Sequence, residues 1–178
     1  MQERPTGQID DQGRQGTQPS VIYTSIGQVR SPSVLALHDY WQSKLRGRAK
    51  PAPGDIDPSE IRQLLPSIII AEYLGEPVRV RYRLVGTQQV YYNGMDFTGL
   101  HLDEIDWGLE NEFVRQVHDL VRTGARPVLG QYQWGFRDNM LGFAEFGAFP
   151  LSDDGLTVTR CIGLDDFLPF EAALGMQR

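Results

Sequence analysis

Apolar positions recur at helical spacing early in the chain and at strand spacing later. After Ser31-Pro32-Ser33, Val34, Leu37, Trp41 and Leu45 repeat every three or four residues, and Leu35 and Tyr40 widen the stripe. A serine cap with proline in the first turn predicts a helix start there. Lys44, Arg46, Arg48 and Lys50 cluster at its far end, where the helix dipole favours cations. A second, short helix is predicted from Asp57-Pro58-Ser59-Glu60, with Asp57 as cap and Glu60 reaching back to it. Ile61, Leu64 and Leu65 would face inward, and Pro66 would end it.

Strand-like material follows. Ser67 to Glu72 holds three consecutive isoleucines, and Val78 to Leu84 alternates apolar residues with Arg79, Arg81 and Arg83. The arginine row reads as a solvated strand face. Gly75-Glu76 supplies the turn between these strands. A helical piece over Gln88 to Tyr92 leads through turns at Asn93-Gly94 and Thr98-Gly99 into an acidic loop, His101 to Asp106. A long helix is predicted from Leu109 to Thr123, with the stripe Leu109, Phe113, Val117, Leu120 and Val121 and with Gly124 closing it. The last third alternates over Val128 to Trp134, from Phe143 onward and over Leu156 to Leu164, with turns at Arg137-Asp138-Asn139 and Ser152 to Gly155.

This order predicts an α+β fold, an antiparallel sheet with helices laid over it. Residues 1–20 carry only Met1 and Ile9 as large apolar side chains and predict a disordered tail. Val21 to Ile26 is apolar enough to dock as an edge strand or on a partner. The expected organisation is a tail over 1–30, an N-terminal helix over 31–50, the main domain over 51–170 and a C-terminal tail over 171–178.

Composition narrows the function classes. The 178 residues are 40% hydrophobic and 22% charged, which suits one domain plus an appendage. The net charge is −6 and the isoelectric point is near 5.0. That balance attracts neither phosphate backbones nor anionic lipid, so no nucleic-acid or membrane partner is expected. Cys161 is the single cysteine and can form neither an internal disulfide nor a thiolate metal site alone. No apolar run approaches the roughly 20 residues of a membrane helix. Glu3, Gln8, Asp10 and Asp11 stand where a secretory signal would be basic and apolar. A cytoplasmic location is expected.

Four ordered strings sharpen the picture: Asp55-Ile-Asp-Pro-Ser-Glu-Ile-Arg-Gln-Leu-Leu-Pro66, Arg81-Tyr-Arg-Leu-Val-Gly-Thr87, Asp96-Phe-Thr-Gly99 and Pro150-Leu-Ser-Asp-Asp-Gly155. Over about residues 33–167 the chain resembles the PAS domain superfamily, specifically a family of stand-alone PAS proteins of alphaproteobacteria. The resemblance implies a five-stranded antiparallel sheet with helices on one face, preceded here by the N-terminal helix. It also implies a ligand-sensing or protein-interaction module in signalling, without naming a ligand. Physically, Gly86 allows a sharp turn with Thr87 as the cap, and Asp96-x-Thr98-Gly99 forms a side-chain-to-backbone turn. With no kinase, cyclase or DNA-binding segment on this chain, output is expected to run through a partner protein. PAS-like proteins often dimerise through an N-terminal helix, so a homodimer is expected; the null is that the stripe packs on its own sheet.

Strand faces predict the pocket. If Ser152 to Gly155 is a tight turn, Leu151 faces Leu156, Gly147 faces Arg160 and Glu145 faces Ile162, all on the more apolar face. Glu145 and Arg160 would then point inward as diagonal neighbours, with Gly147 leaving room for Arg160. They form either a structural ion pair or the polar anchors of a ligand pocket. A register with Phe136 near Phe143 adds Trp134 and Tyr132 to this face, and Tyr82 joins from the second strand. The candidate ligand-binding residues are Tyr82, Tyr132, Trp134, Glu145 and Arg160, suited to a small planar or carboxylate-bearing metabolite.

No cofactor is expected. Haem sensors of PAS type use a histidine on the long helix, but His118 falls off the centre of the predicted stripe and reads as solvent-facing. A photosensor flavin needs a cysteine in a helix motif, whereas Cys161 is on the last strand. His101, Asp103, Glu104 and Asp106 lack metal-ligand spacing, and their acidity suits a coming helix start. No nucleophile motif is present, so an enzyme is not expected. The alternatives are a small isomerase- or hydrolase-like enzyme with Glu145 as a buried base, and a haem-binding PAS sensor.

Overall fold

The computed structural model describes residues 20–136 and 140–169; residues 1–19 of the predicted N-terminal tail, the predicted C-terminal tail over 171–178 and the turn at Arg137 to Asn139 lie outside them. The chain runs β1 (Val21–Ile22), α1 (Pro32–Ser43), β2 (Ile68–Leu74), β3 (Arg79–Val85), α2 (Thr87–Asn93), α3 (Asn111–Gly124), β4 (Val128–Phe136), β5 (Met140–Leu151) and β6 (Arg160–Pro169). The strands form one antiparallel sheet in the order β1-β4-β5-β6-β2-β3. Five of them are the predicted sheet; β1 is the apolar segment that docks on the edge of β4, with Val21 opposite Gln131.

Both faces of the sheet are covered, and the two cores are separate. On one face α1 lays Val34, Leu37 and Trp41 over Phe149, Leu151, Ile162 and Leu164. Ser31 caps α1 by accepting from the Val34 amide at 3.1 Å. The Trp41 indole donates to the Pro150 carbonyl at 2.9 Å. The stripe of α1 is therefore used on its own sheet, each large apolar side chain contributing roughly 1.5–3 kcal/mol by burial. On the other face α3 and the loop before it cover Ala71, Tyr82, Phe146, Ala148 and Cys161.

Local differences from the sequence reading have local causes. The predicted short helix at Asp57 to Pro66 is two 3-10 turns, Pro58–Glu60 and Leu65–Ser67. Asp57 still caps, accepting from the Ser59 amide at 2.8 Å, but Glu60 turns to Lys44 instead of back to the cap. α1 stops at Ser43, and the chain turns at Arg46 and Gly47, both at positive φ. Ala125, not Gly124, takes the left-handed position that ends α3. Gly86 is required by close approach rather than by turn freedom: a Cβ there would sit 2.2 Å from the Pro66 carbonyl oxygen. The Asp96 turn forms as predicted, with Oδ1 accepting from the Thr98 amide at 2.9 Å and Gly99 at φ +86. The arginine row is paired rather than simply solvated. Arg79 contacts Asp103 at 2.7 Å, while Arg81 and Arg83 reach Glu72 at 2.6 and 3.3 Å.

Register is where the sequence reading departs most. Leu151 pairs with Arg160 and Phe149 with Ile162, so the β5–β6 connection is a loop over 152–159 rather than a tight turn. Asp154 Oδ1 accepts from the Leu156 and Thr157 amides at 2.8 and 2.7 Å, taking donors that a continued ladder would need. This shift preserves which residues share a face. The β4–β5 shift does not: Trp134 pairs with Gly142 and Tyr132 with Ala144. Relative to the predicted Phe136–Phe143 pairing the slip is odd, which moves Tyr132 and Trp134 to the opposite side of the sheet from Glu145.

Candidate functional site

Between the sheet and α3 lies a cavity of about 340 Å³. Its floor is small: Ala148, Cys161 and Gly163 leave volume that larger side chains would fill. Its walls are aromatic. Tyr82 meets Phe97 edge-on at 4.9 Å and Trp107 at 6.2 Å. Phe113 and Tyr132 flank Phe146 at 5.8 and 6.1 Å. The Trp134 ring lies over Gly142, where a Cβ would come within 2.7 Å of the indole. Met95 and Asp106, the exposed members of the lining, mark its mouth.

Polar groups converge on this space. His118 is buried, with Nδ1 and Nε2 each 3.3 Å from a tyrosine hydroxyl, Tyr73 and Tyr82 respectively. Burial pulls its pKa down to about 4, so the imidazole is neutral at physiological pH. Asp165 stands on β6. Burial pushes its carboxyl up to about 7, opposed by a hydrogen bond from the Tyr132 hydroxyl. Burial also raises the Cys161 thiol to about 11, which keeps it protonated. The Trp107 indole nitrogen is buried and has no hydrogen-bond partner among the described residues.

Of the five predicted site residues, Tyr82, Tyr132 and Trp134 line the cavity, and Glu145 and Arg160 do not. Glu145 lies on the α1 face. It accepts from the Tyr23 hydroxyl at 2.9 Å and from the Arg30 and Ser31 amides at 2.9 and 2.5 Å. Arg160 pairs with Glu72 at 3.2 Å, on the sheet edge shared with Arg81 and Arg83. Burial works against ionising Glu72, yet these three guanidiniums hold its carboxyl below the usual range. Glu145 and Arg160 share the α1 face of the sheet, as predicted, and Glu145 is buried there, but they are not paired, because the β5–β6 register sets them opposite Asp166 and Leu151. Gly147 is covered by the Phe149 ring and Val34 rather than by Arg160.

The outward placement expected for His118 is also overturned. Adding Val114 to the stripe moves the buried centre of α3 to Val114, Val117, His118 and Val121, and those residues face the sheet. Asp165 carried a signal too, an acid interrupting the apolar run that starts at Cys161.

The described residues of the lining do not fit haem or flavin. Both nitrogens of His118 are engaged by tyrosines. Among the described residues that line the cavity there is no Lys or Arg to meet haem carboxylates or a flavin phosphate. Cys161, protonated and on β6, is not placed for photosensor chemistry from a helix. The described residues contain no group of three or more metal-ligating side chains, and none of the described helices is long and apolar enough to cross a membrane.

An antiparallel sheet with a long helix laid across a lined cavity is the arrangement of a PAS-type domain. The chain belongs to the PAS domain family, whose profile matches residues 29–163. No curated protein matches it. Among solved structures, the Rhodobacter sphaeroides LOV protein shares 14% identity with a TM-score of 0.47, over 66% of this chain and 74% of that one. An RNA-binding Light-Oxygen-Voltage receptor shares 12% identity with a TM-score of 0.51, over 91% of this chain and 42% of the receptor. At such identities the likeness concerns the fold, and this chain spans under half of that receptor.

Proposed function

We propose that the protein is a small-molecule-sensing PAS module whose state is read by a partner protein. The cavity carries this reading. At about 340 Å³ it falls within the size range of ligand sites. A core serving packing alone would close such a space, since protein interiors approach crystal density. A route outward lies in the alternation of β6. Asp165 faces the cavity, and its neighbour Asp166 accepts from the Ser31 hydroxyl, the cap of α1. A ligand that moves Asp165 therefore acts on the strand that holds the start of α1. The reading includes a homodimer, with Leu35 and Tyr40 on the half-buried flank of α1 as its contact.

The test is native mass spectrometry of the purified protein with an ultraviolet–visible spectrum, compared with Ala148→Leu. The expected result is a bound or titratable small molecule in the wild type that the larger side chain excludes. Absence of any binder from a metabolite library would overturn the reading, as would Ala148→Leu leaving binding unchanged.

A second reading rests on one observation. A carboxyl poised at about 7 beside a cavity is in the range of a general acid–base catalyst. It makes Asp165, rather than Glu145, the group whose change to Asn would abolish any turnover found on a substrate panel.

A further inference from the structure

The cavity's charge is one-sided. Asp106, Glu110 and Asp165 line it, and no Lys or Arg does among the described residues. Among the described residues, the hydrogen-bond partners of these acids are uncharged. Asp106 accepts from the Gly108 amide and the Asn111 side chain, both at 2.9 Å. Glu110 takes the Ser20 hydroxyl at 2.5 Å, and Asp165 takes the Tyr132 hydroxyl. His118, neutral through burial, adds no positive charge. Around these groups stand the rings of Tyr82, Trp107, Phe113, Tyr132 and Trp134. Their faces carry the negative end of the ring quadrupole, which attracts cations.

We propose that this cavity takes an organic cation, an ammonium group on an apolar or aromatic body, with the body among the rings and the charge beside Asp165. The inference rests on the small-molecule reading above and narrows it to one charge class. An anion would meet three carboxyl groups with no counter-charge, and desolvating it there is strongly unfavourable. A purely apolar ligand would leave Asp165 with a phenol as its only side-chain partner among the described residues. The carboxylate-bearing ligand expected from sequence depended on Arg160, which is held by Glu72 outside the cavity.

Three probes share one ring and differ in charge: 2-phenylethylammonium, 2-phenylethanol and 3-phenylpropanoate. Trp107 and Trp134 line the cavity, so tryptophan fluorescence reports their binding to the full chain. At pH 8, where Asp165 is ionised, the ammonium is expected to bind at least about tenfold more tightly than the alcohol, and the carboxylate to bind not at all. Asp165→Asn is expected to bring the ammonium's affinity down to that of the alcohol while leaving the alcohol unchanged. Equal or tighter binding of the alcohol or carboxylate overturns the charge inference and leaves the sensing pocket standing. Binding of none of the three also overturns it. In that case the native mass spectrum decides separately whether the pocket holds another compound.

Discussion

Asp165 and His118 titrate in opposite senses, and the difference is measurable. In the fold Asp165 keeps its proton up to about pH 7, whereas its ordinary value is 3.8. Between those values the folded state binds more protons than the unfolded one, so stability falls as pH rises and then levels off. Asp165→Asn should raise Tm at pH 8 by several degrees, on a scale of about 2–4 °C per kcal/mol for a chain of this size, and by less at pH 4.5. His118 has its pKa lowered from 6.5 to about 4, so its contribution is present above 6.5 and lost as pH falls toward 4. His118→Gln should remove that acid loss, leaving Tm to climb as pH drops from 7 to 5. Thermal melts across pH for the two variants check both slopes. A wild-type melt that is flat between pH 5 and 6.5 would reflect their cancellation, and the single variants would still separate them.

At the scale of elements, two carboxylates decide how strands and termini meet. Glu145 binds the amides that lead into α1 and the Tyr23 hydroxyl. Glu145→Ala leaves the Arg30 and Ser31 amides without this acceptor, the Tyr23 hydroxyl keeping Gln131, and should cost about 1–3 kcal/mol. Proteases should then cut ahead of α1 in the folded protein. Glu145→Gln, which keeps an acceptor, should lose less. Asp154, held at a pKa of about 2 chiefly by the Thr157 and Leu156 amides, sets the long β5–β6 loop. Asp154→Ala should lower Tm at neutral pH, with the deficit shrinking as pH falls from about 4 toward 2 and the wild-type carboxylate is itself protonated. Helix and strand existence was legible in hydrophobic period, and so was the Asp96 turn. Strand register was not, because it depends on which side chains intercept backbone donors at the turns.

For the whole molecule, the two faces of the sheet have different work. The α1 face is filled by large apolar side chains, and the α3 face combines small floor residues with aromatic walls. Because α1 supplies one of the two cores, removing residues 1–46 should abolish the cooperative melt rather than merely weaken a dimer. Light scattering of the intact chain at tens of micromolar, about the level at which a modest interface forms, tests the homodimer directly; a monomer there would count against it.

While the PAS type rested on resemblance in four ordered strings, local pattern determined that this chain makes an α+β domain, because residue order and spacing dictate which segments are helices, strands and turns. It also singled out Tyr82, Tyr132 and Trp134, since aromatic residues in alternating strands must be buried on one side or the other. Which side was decided only in three dimensions. An odd slip in the β4–β5 ladder carries Tyr132 and Trp134 away from Glu145, and the stripe of α3 turns His118 inward. A cavity forms where small residues face large ones, and that complementarity between distant segments exists only once the sheet has closed over the helix.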